Sequence, residues 1–270
     1  MTFKRQNTTL VYFISICYST INDGTFSFIT ERKLEVCIDS LESAKNAIQG
    51  GADELEVCSS LAEGGLTPSP GLVKEIMRLN TKVNVMIRCR GGSDFCYTNN
   101  EMETMLADIE IYRDFGIDRF VFGALTKEQE IDKENCMKVL NTANPIPVTF
   151  HRAFDLCKKP EVAINDIIGL GFNRILTSGQ KPSAADETAL QLLDLLFKKY
   201  NDKIEIMPGA AVNCDNVKLF VKSGFSIIHS SCKKIKQLPD VGGDLNMGSN
   251  EMYVTDENIV KKIKQCMKIK

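Results

Sequence analysis

The chain has 270 residues, 43% of them hydrophobic and 25% charged, with a formal charge of −2 and a pI near 5.9. That size suits one large α/β domain or two small ones, and the near-neutral balance excludes a general nucleic-acid binder. No apolar run reaches the roughly 18 residues of a membrane span. The ten cysteines contain no C-x-x-C pair, which excludes a zinc ribbon or a thioredoxin-type motif.

Residues 1–32 differ from the rest of the chain. Lys4 and Arg5 precede the apolar stretch Leu10 to Tyr18, a weak secretory pattern that Ser15 and Thr20 dilute and that lacks a small-residue cleavage site. They are expected to form an N-terminal extension, disordered or loosely packed.

The organised part starts with a repeat. Leu34-Glu35-Val36-Cys37 recurs letter for letter as Leu55-Glu56-Val57-Cys58. Leu and Val alternate with Glu and Cys, the period of a strand. Between the copies Ser40 is an N-cap, Leu41, Ala44, Ala47 and Ile48 share one helical stripe, and Gly50-Gly51 end the helix. The unit is strand–helix–strand, so the two strands are parallel. The same alternation continues along the chain. Pro68 and Pro70 open a helix near 70–79, and strand three is 83–89. A helix from about 100 to 115 carries Met102, Met105, Leu106, Ile109 and Tyr112 at core spacing. Strand four, 119–125, is followed by a helix near 133–142, and strand five, 147–152, by one near 160–169. Strand six, 174–178, leads to a helix near 186–199, and strand seven, 204–207, to one near 214–222. Strand eight is 226–230; a glycine-containing loop of over twenty residues and a last helix near 256–268 complete the chain.

Eight strands alternating with eight helices predict a (β/α)8 TIM barrel, a single domain over residues 33–270. An open doubly wound sheet would place a Gly-rich phosphate loop after strand one, where Asp39-Ser40-Leu41-Glu42 stand instead. Barrels of this kind collect their reactive groups at the C-terminal strand ends. Those ends offer Glu35, Cys37 and Asp39, Glu56 and Cys58, Arg88 and Arg90, Thr149 and His151, Thr177 and Ser178, and His229 with Ser230. Strand parity groups Glu35 with Cys37, Glu56 with Cys58, and Arg88 with Arg90 in the lumen; His229 lies on the opposite parity from Ser230 and equally suits the helix side. These residues also suit a buried salt-bridge layer, and the cysteines suit packing as small hydrophobes.

Longer stretches resemble the CutC copper-homeostasis family. They are Glu35-Val36-Cys37-Ile38-Asp39-Ser40, Gly50-Gly51-Ala52-Asp53, Glu63-Gly64-Gly65-Leu66-Thr67-Pro68-Ser69 and Val85-Met86-Ile87-Arg88-Cys89-Arg90-Gly91-Gly92. Further matches are Phe122-Gly123-Ala124-Leu125-Thr126, Val148 to Asp155, and Leu176-Thr177-Ser178-Gly179. The resemblance implies a (β/α)8 barrel and a cytoplasmic homo-oligomer concerned with copper. It implies monovalent copper bound through two cysteines, which correspond to Cys37 and Cys58. Soft thiolates select that ion, and equal offsets on adjacent strands would bring the two together. One departure stands out: after Met207-Pro208-Gly209 the family commonly has two more glycines, and here Ala210-Ala211 crowd the approach of an anion.

An enzyme is the alternative. Arg88 and Arg90 would clamp a small anionic substrate, and His151 would transfer a proton with Glu35 or Glu56 orienting it or sharing the transfer. A third reading is a decayed barrel that acts through association, to which Ala210-Ala211 is the one pointer. The expected partners are a copper ion or a small anionic molecule, with neither nucleic acid nor membrane.

Overall fold

The computed structural model describes residues 32–239, 241 and 249–268. The N-terminal extension expected over 1–32 lies outside them except for Arg32.

Eight parallel strands form the barrel: β1 Lys33–Ile38, β2 Glu54–Val57, β3 Lys82–Met86, β4 Arg119–Phe122, β5 Val148–Phe150, β6 Arg174–Thr177, β7 Glu205–Pro208 and β8 Ile227–Ser230. Their order is β7-β6-β5-β4-β3-β2-β1-β8, and β8 packs beside β7 to bring the sheet round to a nearly closed barrel. Helices follow the strands: α1 Leu41–Gly50, α2 Pro70–Met77, α3 Asn99–Arg113, α4 Lys133–Ala143, α5 Pro160–Leu170, α6 Glu187–Tyr200 and α7 Val217–Ser223, with α8 Glu257–Met267 last. None of these helices is long and apolar enough to cross a membrane.

Local chemistry sets the helix ends. The Ser40 side chain accepts from Ser43 N at the start of α1, and Gly51 closes it in the left-handed conformation at φ 92°. Thr98 and Glu101 form a reciprocal capping box on α3. Each strand then divides its residues by parity. Leu34, Val36 and Ile38 of β1, like Leu55 and Val57 of β2, are fully buried in the layer between sheet and helices. The alternate residues Glu35, Cys37, Glu54 and Glu56 face the lumen, where they meet lumen groups from other strands.

One element is not among those expected. Where the sequence suggested a long loop after β8, β9 (Lys233–Gln237) pairs antiparallel with β10 (Glu251–Thr255). This ribbon is tied to the barrel by Lys234 to Asp256 at 2.5 Å and Lys236 to Glu42 at 2.7 Å.

Candidate functional site

The lumen is polar at two levels. At the lower one Arg174, 3% exposed, donates from Nη1 to Glu54 at 2.8 Å and from Nε to Glu205 at 2.6 Å, with Glu35 at 3.5 Å. Asn84 Nδ2 donates to Glu35 at 2.5 Å and to Glu54 at 3.1 Å. Burial works to raise the pKa of both glutamates. For Glu54 the hydrogen bond and charge of Arg174 outweigh it, and for Glu35 the His229 bond does so with help from Arg174, so both sit below the usual carboxylate value.

Above this floor is the donor cluster. In the β1–β8 pairing Glu35 stands opposite His229, so His229 points into the barrel rather than at a helix. Its Nδ1 lies 2.8 Å from Glu35 Oε1, which leaves Nε2 for the upper level, 3.9 Å from Glu56 Oε2. A Cys37 sulfur, a Glu56 oxygen and a His229 nitrogen all lie within 4.8 Å of one another, and all three residues are buried. Burial disfavours the imidazolium, but the charges of Cys37 and Glu56 and the Glu35 bond hold the His229 pKa well above its ordinary value. Glu56 is pushed up to about 7, by burial first and then by the Glu35 charge, against the pull of His229; its Oε1 has no hydrogen-bond partner among the described residues.

Equal offsets favour one height for Cys37 and Cys58 and barrel stagger works against it; the register realises the stagger. Cys37 pairs with Glu56, not Cys58, because the β1–β2 stagger sets Glu35 against Glu54. Cys58 therefore sits two residues further up its strand, fully buried against Met86 and Val121, and its Sγ donates to Glu56 at 3.6 Å. Burial and the Glu56 charge raise the Cys58 thiol well above the ordinary value, so it keeps its proton at neutral pH.

A cavity of about 240 Å³ opens above the cluster, with Cys37, Glu56, Arg88, His151, Arg152, Ala210, Ala211, His229 and Lys233 among its lining residues. Of the residues singled out from the sequence, Cys37, Glu56, Arg88 and His151 meet here. Glu35 lies beneath, bonded to His229. Arg90 stays outside. It sits past the end of β3, its Nε 2.5 Å from Glu101 and its Nη1 2.9 Å from Asp94, so two carboxylates hold it away from the lumen. The expected Arg88–Arg90 clamp is therefore not formed. Arg88 Nη1 donates to the carbonyls of Glu63 at 3.0 Å and Gly65 at 3.2 Å, and Nη2 to that of Gly92. Sequence reasoning missed Glu54, Asn84 and Arg174, and left His229 undecided. Parity alone held the signal for Glu54, which shares a face with Glu56.

The molecule is thus a nearly closed (β/α)8 barrel with a buried thiol, imidazole and carboxylate brought together at the carboxyl ends of its strands. Within that class the chain belongs to the CutC family, whose model matches residues 32–234. It is 40% identical over 245 residues to the human copper homeostasis protein cutC homolog, covering 87% of this chain and 89% of that protein. It is also 40% identical to CutC of Glaesserella parasuis over 240 residues, covering 87% and 98%. The crystal structure of CutC from Streptococcus agalactiae superimposes with a TM-score of 0.70 at 31% identity, over 74% of this chain and 98% of that one.

Proposed function

We propose that this chain acts in copper homeostasis by binding one monovalent copper ion in the cytoplasm, with Cys37 and His229 as ligands and Glu56 beside them. The observation that carries the reading is the 2.8 Å bond from Glu35 to His229 Nδ1. A carboxylate behind an imidazole fixes its tautomer and orientation and frees the other nitrogen for a metal, the usual support of a metal-binding histidine. Nε2, whose proton a bound metal would displace, looks toward the Cys37 thiol and Glu56, and thiolate with imidazole is a donor set that suits monovalent copper. Cys58, implied as the second thiolate by the family resemblance, stands a level higher with its proton retained. The nine described cysteines are unpaired, as a reducing compartment keeps them. Self-association belongs to the same reading, favoured by Ile235 and Tyr253, 51% and 50% exposed on the ribbon.

Binding is tested by anaerobic titration with monovalent copper under reducing conditions. The native chain and Cys58→Ser are expected to take up one equivalent, and Cys37→Ser and His229→Gln to lose it. Retention in His229→Gln with loss in Cys58→Ser would replace this site by a bis-thiolate one.

A second reading, an enzyme acting on a small anionic substrate, is favoured by the cationic mouth of the same cavity, where Arg88, Arg152 and Lys233 gather. Glu56, His151 and Arg88 would then serve catalysis with Glu35 orienting His229. Arg90 has no part in it, because its carboxylate partners already occupy it.

A further inference from the structure

The cavity mouth holds donors that copper binding does not use. His151, 4% exposed, follows β5, and its Nδ1 accepts from Ala153 N at 3.2 Å. Burial and the nearby Arg88 charge bring its pKa down to about 3, so the ring is neutral and its one proton is on Nε2. That Nε2 has no hydrogen-bond partner among the described residues. A buried donor left unpaired is costly, so this N–H is poised for an acceptor that the chain does not supply. The ring is held in place. A Cβ on Gly123 would stand 2.5 Å from its Nδ1, so only glycine fits beneath it, and Phe95 packs on it at 4.9 Å between centroids.

The turn after β7 supplies a second set. Ala210 and Ala211 hold the left-handed φ values 85° and 54° despite their β-carbons. Ala210 O accepts from Ala184 N at 3.1 Å, and Ala211 O from Asn216 Nδ2 at 2.9 Å. In a trans peptide the N–H points opposite to the carbonyl. Fixing these two carbonyls therefore turns the N–H groups of Ala211 and Val212 the other way, and neither finds an acceptor among the described residues. Both residues line the cavity. The local charge is positive. Arg88 has carbonyl partners but no carboxylate within ion-pair distance among the described residues, and the Lys233 ammonium sits 4.0 Å over the Tyr253 ring.

We propose that the cavity mouth binds a small oxyanion, the phosphate or carboxylate group of a compact organic molecule, which accepts hydrogen bonds from His151 Nε2 and from the N–H groups of Ala211 and Val212. About 240 Å³ is room for roughly eight waters, which limits the molecule to a few carbon atoms. The inference deepens the anionic-substrate reading and rests on it for the ligand's charge; it requires no copper and no turnover.

The test is calorimetric titration of the metal-free full chain with inorganic phosphate and, in a second arm, malonate. The preferred probe tells phosphate from carboxylate. The native chain is expected to bind one of them, and His151→Phe to weaken it about tenfold, the loss of one hydrogen bond to a charged acceptor. His151→Gln, which keeps a donor, holds affinity within a few-fold, as does the remote surface variant Lys198→Ala. The double variant Ala210→Gly/Ala211→Gly removes the crowding β-carbons and tightens binding several-fold. Binding of neither probe, or native affinity in a folded His151→Phe, overturns the inference. If His151→Phe does not fold, unchanged affinity in the double glycine variant overturns it. The enzyme reading fails separately, if anions bind here and are never transformed.

Discussion

Replacing Arg174 by methionine is expected to destabilise the barrel by about 3–5 kcal/mol at neutral pH, the cost of breaking a buried ion network from one side. Arg174 is the cation at the lumen floor, in contact with Glu35, Glu54 and Glu205. Without it, Glu35 and Glu54, 0% and 3% exposed, keep Asn84 and, besides it, His229 for Glu35 and the partly exposed Lys33 at 3.8 Å for Glu54. Two carboxylates this close cannot both remain ionised in a dry lumen, so at least one must take up a proton. Glu54 sets the sign of the pH dependence. Its folded pKa is depressed below 4.5, chiefly by Arg174 against the opposing burial, so its stabilising contribution is present above the unfolded value and is lost as pH falls through the folded one. The deficit of Arg174→Met is therefore largest near pH 7 and shrinks toward pH 4. Urea denaturation at both pH values measures it; a deficit below about 1 kcal/mol at pH 7 would mean that the floor is not an ionic network.

Glu56→Gln is expected to do the reverse and stabilise the metal-free protein in alkaline solution. The Glu56 carboxyl is buried, with its folded pKa raised from 4.5 to about 7 by burial and by the Glu35 charge. A raised carboxylate pKa favours folding while the group is protonated. That stability is fully present below the unfolded value, declines above it, and is gone once pH passes the folded value near 7. Above pH 7 the ionised group is then a penalty on the order of 3 kcal/mol, because each tenfold change in proton affinity is worth about 1.4 kcal/mol. Glutamine keeps the shape without the charge. The variant should match the native chain near pH 4, exceed it increasingly as pH rises to about 7, and hold that advantage up to pH 8.5 in thermal or urea melts. A stability difference that does not change with pH would contradict this expectation.

The barrel itself is legible in the sequence because strand and helix periods differ and each crossover has its own start and stop. Ser40 and Gly51 bound α1, and Pro70 opens α2, as the residues suggest. The β9–β10 ribbon is not legible. Lys233-Lys234-Ile235-Lys236-Gln237 has no alternating apolar face, since it lies on the surface and is held by cross-strand pairing and ion pairs. At the site, parity places Glu35, Glu56 and Cys37 in the lumen, but parity carries no height. The stagger that sets Cys37 against Glu56 depends on how the whole sheet closes, so the level of Cys58 could not be read from two identical tetrapeptides. His229 was ambiguous because β8, Ile227-Ile228-His229-Ser230, has an apolar and a polar residue on each face. Arg90 followed the parity of Arg88, but the strand ends at Met86, and beyond it the loop carboxylate Asp94 and the helix residue Glu101 decide where the side chain goes.

In the proposed site copper is held by one thiolate with one imidazole, in a lumen whose register separates the two repeated cysteines. X-ray absorption at the copper K edge, on the native chain loaded with monovalent copper under reducing conditions, tests this most directly. A single sulfur scatterer is expected together with the outer-shell signature of an imidazole, a signature that disappears in His229→Gln. Two sulfur scatterers with no imidazole signature would contradict the claim and return the site to Cys37 with Cys58.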